Sequence, residues 1–109
     1  MSDPAGVNAS SSGNAAPDAA PVIRALEICN KRGLHARASA KFVQTVEKYD
    51  ADVKVKRGNE VVGGTSIMGL MMLAAGPGTT ITVEASGPQA AEVVDALEQL
   101  VAGRFTEGE

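Results

Sequence analysis

Two segments of the chain repeat apolar residues at helical spacing along one face. The first runs from His35 to Lys48 and the second from about Pro88 to Gly103. The first stripe consists of Ala36, Ala40, Val43 and Val46 and is widened by Phe42 and Tyr49; the second consists of Ala90, Val93, Val94, Leu97, Leu100 and Val101. A helix with one apolar face is stable only when that face packs on another layer. The chain is therefore expected to provide a sheet that both helices can cover.

Four short segments are predicted to form that sheet. Residues 22–28 and 79–85 are rich in branched apolar residues, and residues 52–56 alternate between polar and apolar side chains. Residues 61–62 follow a tight-turn composition, which is typical of a hairpin partner. A short apolar helix over 67–75 precedes the last strand. The predicted fold is α+β, in the order β-α-β-β-α-β-α, with a four-stranded, mostly antiparallel sheet and the helices on one face.

The length of 109 residues suits one domain with a tail at each end. Residues 1–20 are dominated by small and polar side chains, which cannot bury enough apolar surface to offset the entropy of ordering. They are predicted to form a disordered N-terminal tail. The folded domain is predicted over residues 21–103, and residues 104–109 are assigned to a C-terminal tail.

Composition disfavours several classes of function. A net charge of −3 and 3% aromatic residues argue against nucleic-acid binding, which uses basic and stacking side chains. No apolar run approaches the roughly 20 residues of a membrane span, and the N-terminus lacks a signal-peptide pattern. We therefore expect a cytoplasmic, monomeric protein with no membrane partner. Cys29 and His35, the single cysteine and histidine, cannot build a disulfide or a usual metal site, and no cofactor is predicted.

His35 lies where the first long helix is predicted to begin. A helix N-terminus presents free N–H groups and the positive end of the helix dipole, which favour an anion such as phosphate. A neutral imidazole has one nitrogen whose lone pair can attack phosphorus. Arg37, two residues on, carries a planar donor fork suited to phosphate oxygens, and Arg32 adds positive charge nearby. The residues alone also allow a plain surface or capping histidine.

Two motifs of the chain resemble the HPr family, the histidine-containing phosphocarriers of the bacterial phosphotransferase system. They are Gly-Leu-His-Ala-Arg at 33–37 and Ser-Ile-Met-Gly-Leu-Met at 66–71, separated as in the family. The resemblance implies an open-faced β-sandwich in which His35 accepts phosphate from enzyme I through Nδ1 and passes it to EIIA-type proteins. It also implies that Arg37 contacts the phosphate. The chain departs from the family at Ala38, where the commonest motif has proline, and this leaves the geometry of the turn open.

The second motif adds a candidate regulatory site and a candidate docking surface. Ser66 is predicted to cap the short helix, and the resemblance implies phosphorylation there by an HPr kinase/phosphorylase in some members. The short helix is too apolar to hide every face, so we expect an exposed patch of Ile67, Met68 and Met71 where partners dock. Cys29 is interpreted as an inert residue at the end of a strand.

The predicted function is that of a phosphocarrier with a reactive histidine, not a free-standing enzyme. The alternative is a regulatory binding protein of the same fold that docks according to phosphorylation at His35 or Ser66. A small-molecule-binding sandwich is disfavoured because no glycine-rich phosphate loop follows a strand. A small hydrolase is disfavoured because His35 has no second acid–base group near it in sequence.

Overall fold

The structure is a computed structural model and describes residues 20–106. The predicted N-terminal tail therefore lies, apart from Ala20, outside the described residues, as do residues 107–109. None of the helices between residues 20 and 106 has the length and hydrophobicity needed to cross a bilayer.

The elements follow the predicted order. They are β1 (Val22–Glu27), α1 (Ala36–Glu47), β2 (Asp52–Arg57), β3 (Glu60–Gly63), α2 (Ile67–Met72), β4 (Thr80–Ser86), α3 (Ala90–Ala102) and a final 3₁₀ turn, Arg104–Thr106. The four strands form one sheet in the order β1-β4-β2-β3, and every neighbouring pair is antiparallel. The predicted α+β fold with a four-stranded antiparallel sheet is confirmed.

The strand register gives the sheet one buried face and one exposed face. Val83 of β4 pairs with Val55 of β2, and Ile81 pairs with Leu26 of β1; all four side chains are buried. The alternate residues point to the other face, where Lys56 forms an ion pair with Glu84 at 3.0 Å and Ile23 is exposed. An antiparallel sheet with one solvated face shows this alternation, because successive side chains point to opposite faces.

The two long helices cover the buried face, but the buried face of α1 differs in part from the prediction. Its buried residues are Ala38, Ser39, Phe42, Val43 and Val46, whereas Ala36 is exposed and Ala40 is half-buried. Phe42 and Val43 define the inward side of α1, and the residues four positions before them are Ala38 and Ser39. The buried stripe of α3, in contrast, contains all the predicted residues except Leu100, which is half-buried.

The packed part of the chain continues past Gly103. In the turn over residues 104–106 the Phe105 ring is fully buried in the core. Lys41 of α1 donates from Nζ to the Phe105 carbonyl at 2.6 Å and to Thr106 Oγ1 at 2.8 Å. Residues 104–106, which the sequence pattern assigns to a tail, therefore pack on the domain, because one large aromatic side chain supplies the apolar area that holds them.

Candidate functional site

His35 caps the N-terminus of α1. Its backbone is extended, with φ −75° and ψ −178°, and its carbonyl accepts the first helical hydrogen bond from the Ser39 N–H at 2.8 Å. Its Nδ1 accepts a hydrogen bond from the Arg37 N–H at 3.2 Å. The helix thus begins next to His35, as the sequence predicts, and the imidazole takes the place of the usual capping oxygen.

This hydrogen bond decides which nitrogen of the neutral His35 ring carries the lone pair. A nitrogen that accepts a hydrogen bond carries a lone pair, so in the neutral ring the proton is assigned to Nε2. Nε2 is shielded from solvent. The lone pair on Nδ1 points towards the N–H groups of the first helical turn, where a helix favours negative charge.

The loop before His35 lies directly against the segment that follows α2. The Leu34 N–H donates to the Ala75 carbonyl at 3.0 Å. Gly33 has φ +65°, and a Cβ at this position would lie 2.2 Å from the Ala75 carbonyl oxygen. Only glycine permits this backbone conformation and this approach together. The glycine of the first motif is therefore required by the contact that places His35 beside α2.

Two fully buried polar side chains hold the same loop from inside. Asn30 donates from Nδ2 to the Gly33 carbonyl at 2.9 Å, and Ser39 donates from Oγ to the Leu34 carbonyl at 3.2 Å. Neither side chain is among the residues that the sequence predicts for the site. Asparagine is common in turns because its amide bonds to nearby backbone. Ser39 lies four residues after His35 on the inward side of α1, and this spacing could have indicated that its hydroxyl binds the loop before His35.

His35 opens onto a surface depression of about 290 Å³ that α2 helps to form. Its lining residues are Arg32, Leu34, His35, Met71, Ala74, Ala75 and Gly76. The depression brings together His35 of the first motif, Met71 of the second motif and the cationic side chain of Arg32. Arg37 does not line it: its side chain is exposed in the first turn of α1.

Ser66 caps α2 as predicted. Its Oγ accepts a hydrogen bond from the Gly69 N–H at 2.9 Å, and its side chain is exposed. The helix is shorter than the predicted 67–75, because it ends at Met72 with Leu73 as its C-cap. Ala74 then has φ +53°, the left-handed conformation in which many helices end.

The exposed side of α2 carries a larger apolar surface than the sequence predicts. Ile67, Met68 and Met71 are exposed as expected, and Met72 is exposed as well, at 73%. We call these four residues the α2 patch. Leu70 and Leu73 face the core. The spacing between Met68 and Met72 is one helical turn, which was the signal that Met72 shares the exposed side.

The charged residues close to His35 in sequence are all positive. Between residues 28 and 46 the chain has no acidic residue, and between residues 61 and 83 it has no charged residue. Lys31, Arg32 and Arg37 are exposed next to the site. The segment that contains His35 is therefore cationic and the segment that contains the α2 patch is uncharged, in a chain whose net charge is −3. The distribution of charged residues along the sequence could have indicated that these two segments differ from the rest of the chain.

Cys29 follows the end of β1 and lies outside the His35 depression. Its thiol donates to the Val101 carbonyl at 3.2 Å. Among residues 20–106 no three His, Cys, Asp or Glu side chains come close enough together to hold a metal ion. Ala38 is fully buried in the first turn of α1, where it contributes a backbone N–H that proline would lack.

Comparisons with known proteins match most of the chain. The family model described as the PTS HPr component phosphorylation site matches residues 22–103, a range that contains both motifs. The phosphocarrier protein HPr of Cupriavidus necator is 54% identical over 82 residues, 75% of this chain and 92% of the relative. The phosphocarrier protein HPr of Neisseria meningitidis serogroup A is 51% identical over 86 residues, 79% of this chain and 97% of the relative.

A solved structure agrees with these matches. The crystal structure of HPr-C-His from Thermoanaerobacter tengcongensis superimposes with a TM-score of 0.76 at 38% identity. The similarity covers 79% of this chain and 97% of that chain.

Substitution of Gly33 tests the contact that places His35. We expect Gly33→Ala to lower the free energy of unfolding by more than 2 kcal/mol, because the left-handed conformation alone costs about 1–2 kcal/mol and the new Cβ meets the Ala75 carbonyl. Gly58→Ala is the matched control, since Gly58 has φ +60° and a Cβ added there would meet no neighbour within 4 Å. Urea unfolding of both variants measures the difference, and equal losses would show that the approach to Ala75 carries no cost.

Proposed function

The chain belongs to the HPr family of phosphocarrier proteins of the phosphotransferase system, and from this premise we propose that His35 is the residue that carries the phosphoryl group. The observation that supports this most directly is the Nδ1 lone pair of His35 at the N-terminus of α1. The proposed donor is enzyme I, and the proposed acceptors are EIIA-type proteins.

The transfer uses the lone pair of Nδ1. Nδ1 forms a bond to phosphorus while the donor's bond to phosphorus breaks, and the donor atom leaves with the electron pair. Nε2 keeps its proton during the attack, so the step needs no general base. This agrees with the absence of an acid–base partner next to His35 in sequence. The reverse step, onto an acceptor, follows the same path.

The first turn of α1 stabilises the phosphorylated form. Once Nδ1 is bonded to phosphorus, the Arg37 N–H no longer has its acceptor and donates to a phosphoryl oxygen instead. The positive end of the helix dipole acts in the same direction. The exposed Arg37 guanidinium contacts the phosphate through charge-assisted hydrogen bonds, which are stronger than neutral ones.

Partners dock over His35 and the α2 patch. The patch supplies apolar area, and the methionines adapt to different partner surfaces. Lys31, Arg32 and Arg37 are exposed and close to His35 in sequence, and Arg32 lines the same depression as Met71 of the patch, so the matching surface on enzyme I and on an EIIA protein is expected to be apolar opposite the patch and acidic opposite these cations. Because His35, the patch and the cations belong to one copy of the chain, we propose that it acts as a monomer.

Phosphorylation assays test the role of His35. Full-length protein incubated with phosphoenolpyruvate and enzyme I is expected to gain one acid-labile phosphate. His35→Asn removes the nucleophile but keeps a side chain that caps helices, so its melting temperature is expected to stay near wild type while labelling is lost. Arg37→Ala is expected to slow transfer roughly tenfold, the effect of losing one charged hydrogen bond.

Lys48→Ala is the matched control for Arg37, because Lys48 is an exposed cation at the opposite end of α1. It is expected to transfer at the wild-type rate. Labelling of His35→Asn at the wild-type level would contradict the proposal for His35. Equal rates for the Arg37 and Lys48 variants would assign Arg37 no part in transfer.

We further propose that phosphorylation of Ser66 inhibits docking. Ser66 immediately precedes the α2 patch, and a phosphate there adds about −1.5 to −2 charges next to apolar side chains that a partner must desolvate. The α2 N-terminus tolerates the charge, because negative groups are favourable at that end of a helix. The exposed position of Ser66 also supports the second candidate, a protein that regulates partners by docking according to its phosphorylation state.

Substitutions at Ser66 separate charge from capping. Ser66→Asp is expected to raise the concentration of protein needed for half-maximal phosphorylation by enzyme I roughly three- to tenfold, with little change in melting temperature. Ser66→Asn caps about as well without charge and is expected to behave as wild type. Equal kinetics for the two variants would leave Ser66 as a helix cap alone. Release of label from His35 to an EIIA protein distinguishes a carrier from a docking regulator, which only binds.

A further inference from the structure

We propose that Arg57 is a positioning residue for phosphotransfer. From the end of β2 it fixes the C-terminal end of α2 and the bend that holds the loop before His35. This inference rests on the proposed function for its effect on transfer, whereas its structural part is independent of that function.

Arg57 supplies the positive charge that the end of α2 lacks. Its guanidinium donates from Nη1 to the Leu73 carbonyl at 2.8 Å, in a partly buried contact. Leu73 is the C-cap of α2, and the last turn of that helix contains no basic residue. The final carbonyls of a helix have no partner within the helix, and a cation there is favourable. A residue of the sheet therefore caps a helix 16 positions later in the chain.

The contact continues to His35 through the three consecutive residues Leu73, Ala74 and Ala75 and then through one hydrogen bond to Leu34. After Leu73, Ala74 reverses the chain with φ +53°, and the buried Ala75 presents its carbonyl to the Leu34 N–H at 3.0 Å. Leu34 directly precedes His35. The Leu73 and Ala75 carbonyls are two residues apart, so the position of one constrains the position of the other. Arg57 thus anchors the bend on which the His35 loop depends.

The shortness of α2 makes an external anchor necessary. A helix of six residues has little stability of its own, because helix nucleation is costly. Ser66 caps one end and Arg57 caps the other. Between these two caps lies the α2 patch, whose Met71 also lines the His35 depression. Movement of the C-terminal end of α2 would shift the patch relative to His35.

Amide hydrogen exchange of the full chain tests the structural part without any phosphate donor. Arg57→Gln is expected to speed exchange of the Leu34 amide roughly three- to tenfold, the range for losing one partly exposed hydrogen bond from a charged donor. The Ile28 amide, which donates to the Thr79 carbonyl, is expected to be unchanged. Arg57→Lys is expected to restore part of the protection, because an ammonium group can also donate to the Leu73 carbonyl.

Transfer from enzyme I tests the functional part. Arg57→Gln is expected to slow transfer roughly threefold or more, with Arg57→Lys intermediate. Arg24→Gln is the matched control: Arg24 donates to Asp95 at 2.6 Å and to Glu98 at 2.8 Å on α3, so its loss affects the fold but not the bend. It is expected to leave Leu34 exchange and transfer unchanged.

Two results would overturn the inference. The first is wild-type exchange of the Leu34 amide in Arg57→Gln. The second is an equal change in Arg24→Gln at a similar loss of melting temperature, since that would make the effect one of global stability. If wild-type protein accepts no phosphate at all, the proposed function fails, and the exchange measurement still decides whether Arg57 anchors the bend.

Discussion

The hydrogen bond from the Leu34 N–H to the Ala75 carbonyl connects the two halves of the site. It brings the N-terminus of α1 next to the end of α2, although Leu34 and Ala75 are 41 positions apart in sequence. The bond requires Gly33, whose left-handed backbone and missing Cβ let the two segments approach. Asn30 and Ser39 then satisfy the carbonyls of Gly33 and Leu34, so the loop is held on both sides.

Folding of α1 also sets the chemistry of His35. The imidazole is the cap of its helix, and the hydrogen bond that makes it a cap leaves the lone pair on Nδ1. The group that would receive negative charge is therefore placed at the positive end of α1 before any partner binds. In the proposed phosphorylated state the same donor is used, with the Arg37 N–H changing from the ring nitrogen to a phosphoryl oxygen. Stability of the helix and reactivity of the histidine depend on one contact.

Much of this arrangement could be predicted from the sequence, where the signal is local. Periodicity places α1, α3 and the strands, and the motif that contains His35 lies where the first long helix is predicted to begin. The roles of Arg57 and Phe105 could not be predicted in the same way. Arg57 acts on a carbonyl 16 residues away, and Phe105 is buried in the core while Lys41 donates to its carbonyl. Such contacts depend on the tertiary arrangement, which periodicity does not contain. The exposure of Met72, in contrast, could have been predicted, because Met72 follows the exposed Met68 by one helical turn.

The central claim is that Nδ1 of His35 carries the phosphoryl group and that the first turn of α1 binds it. Heteronuclear NMR of the full chain, labelled with ¹⁵N and phosphorylated by enzyme I, measures both at once. The account predicts phosphorus coupling to Nδ1 of His35, together with a large shift of the Arg37 amide as its hydrogen bond moves to a phosphoryl oxygen. Phosphorus coupled to Nε2, or an Arg37 amide that does not shift on phosphorylation, would contradict it.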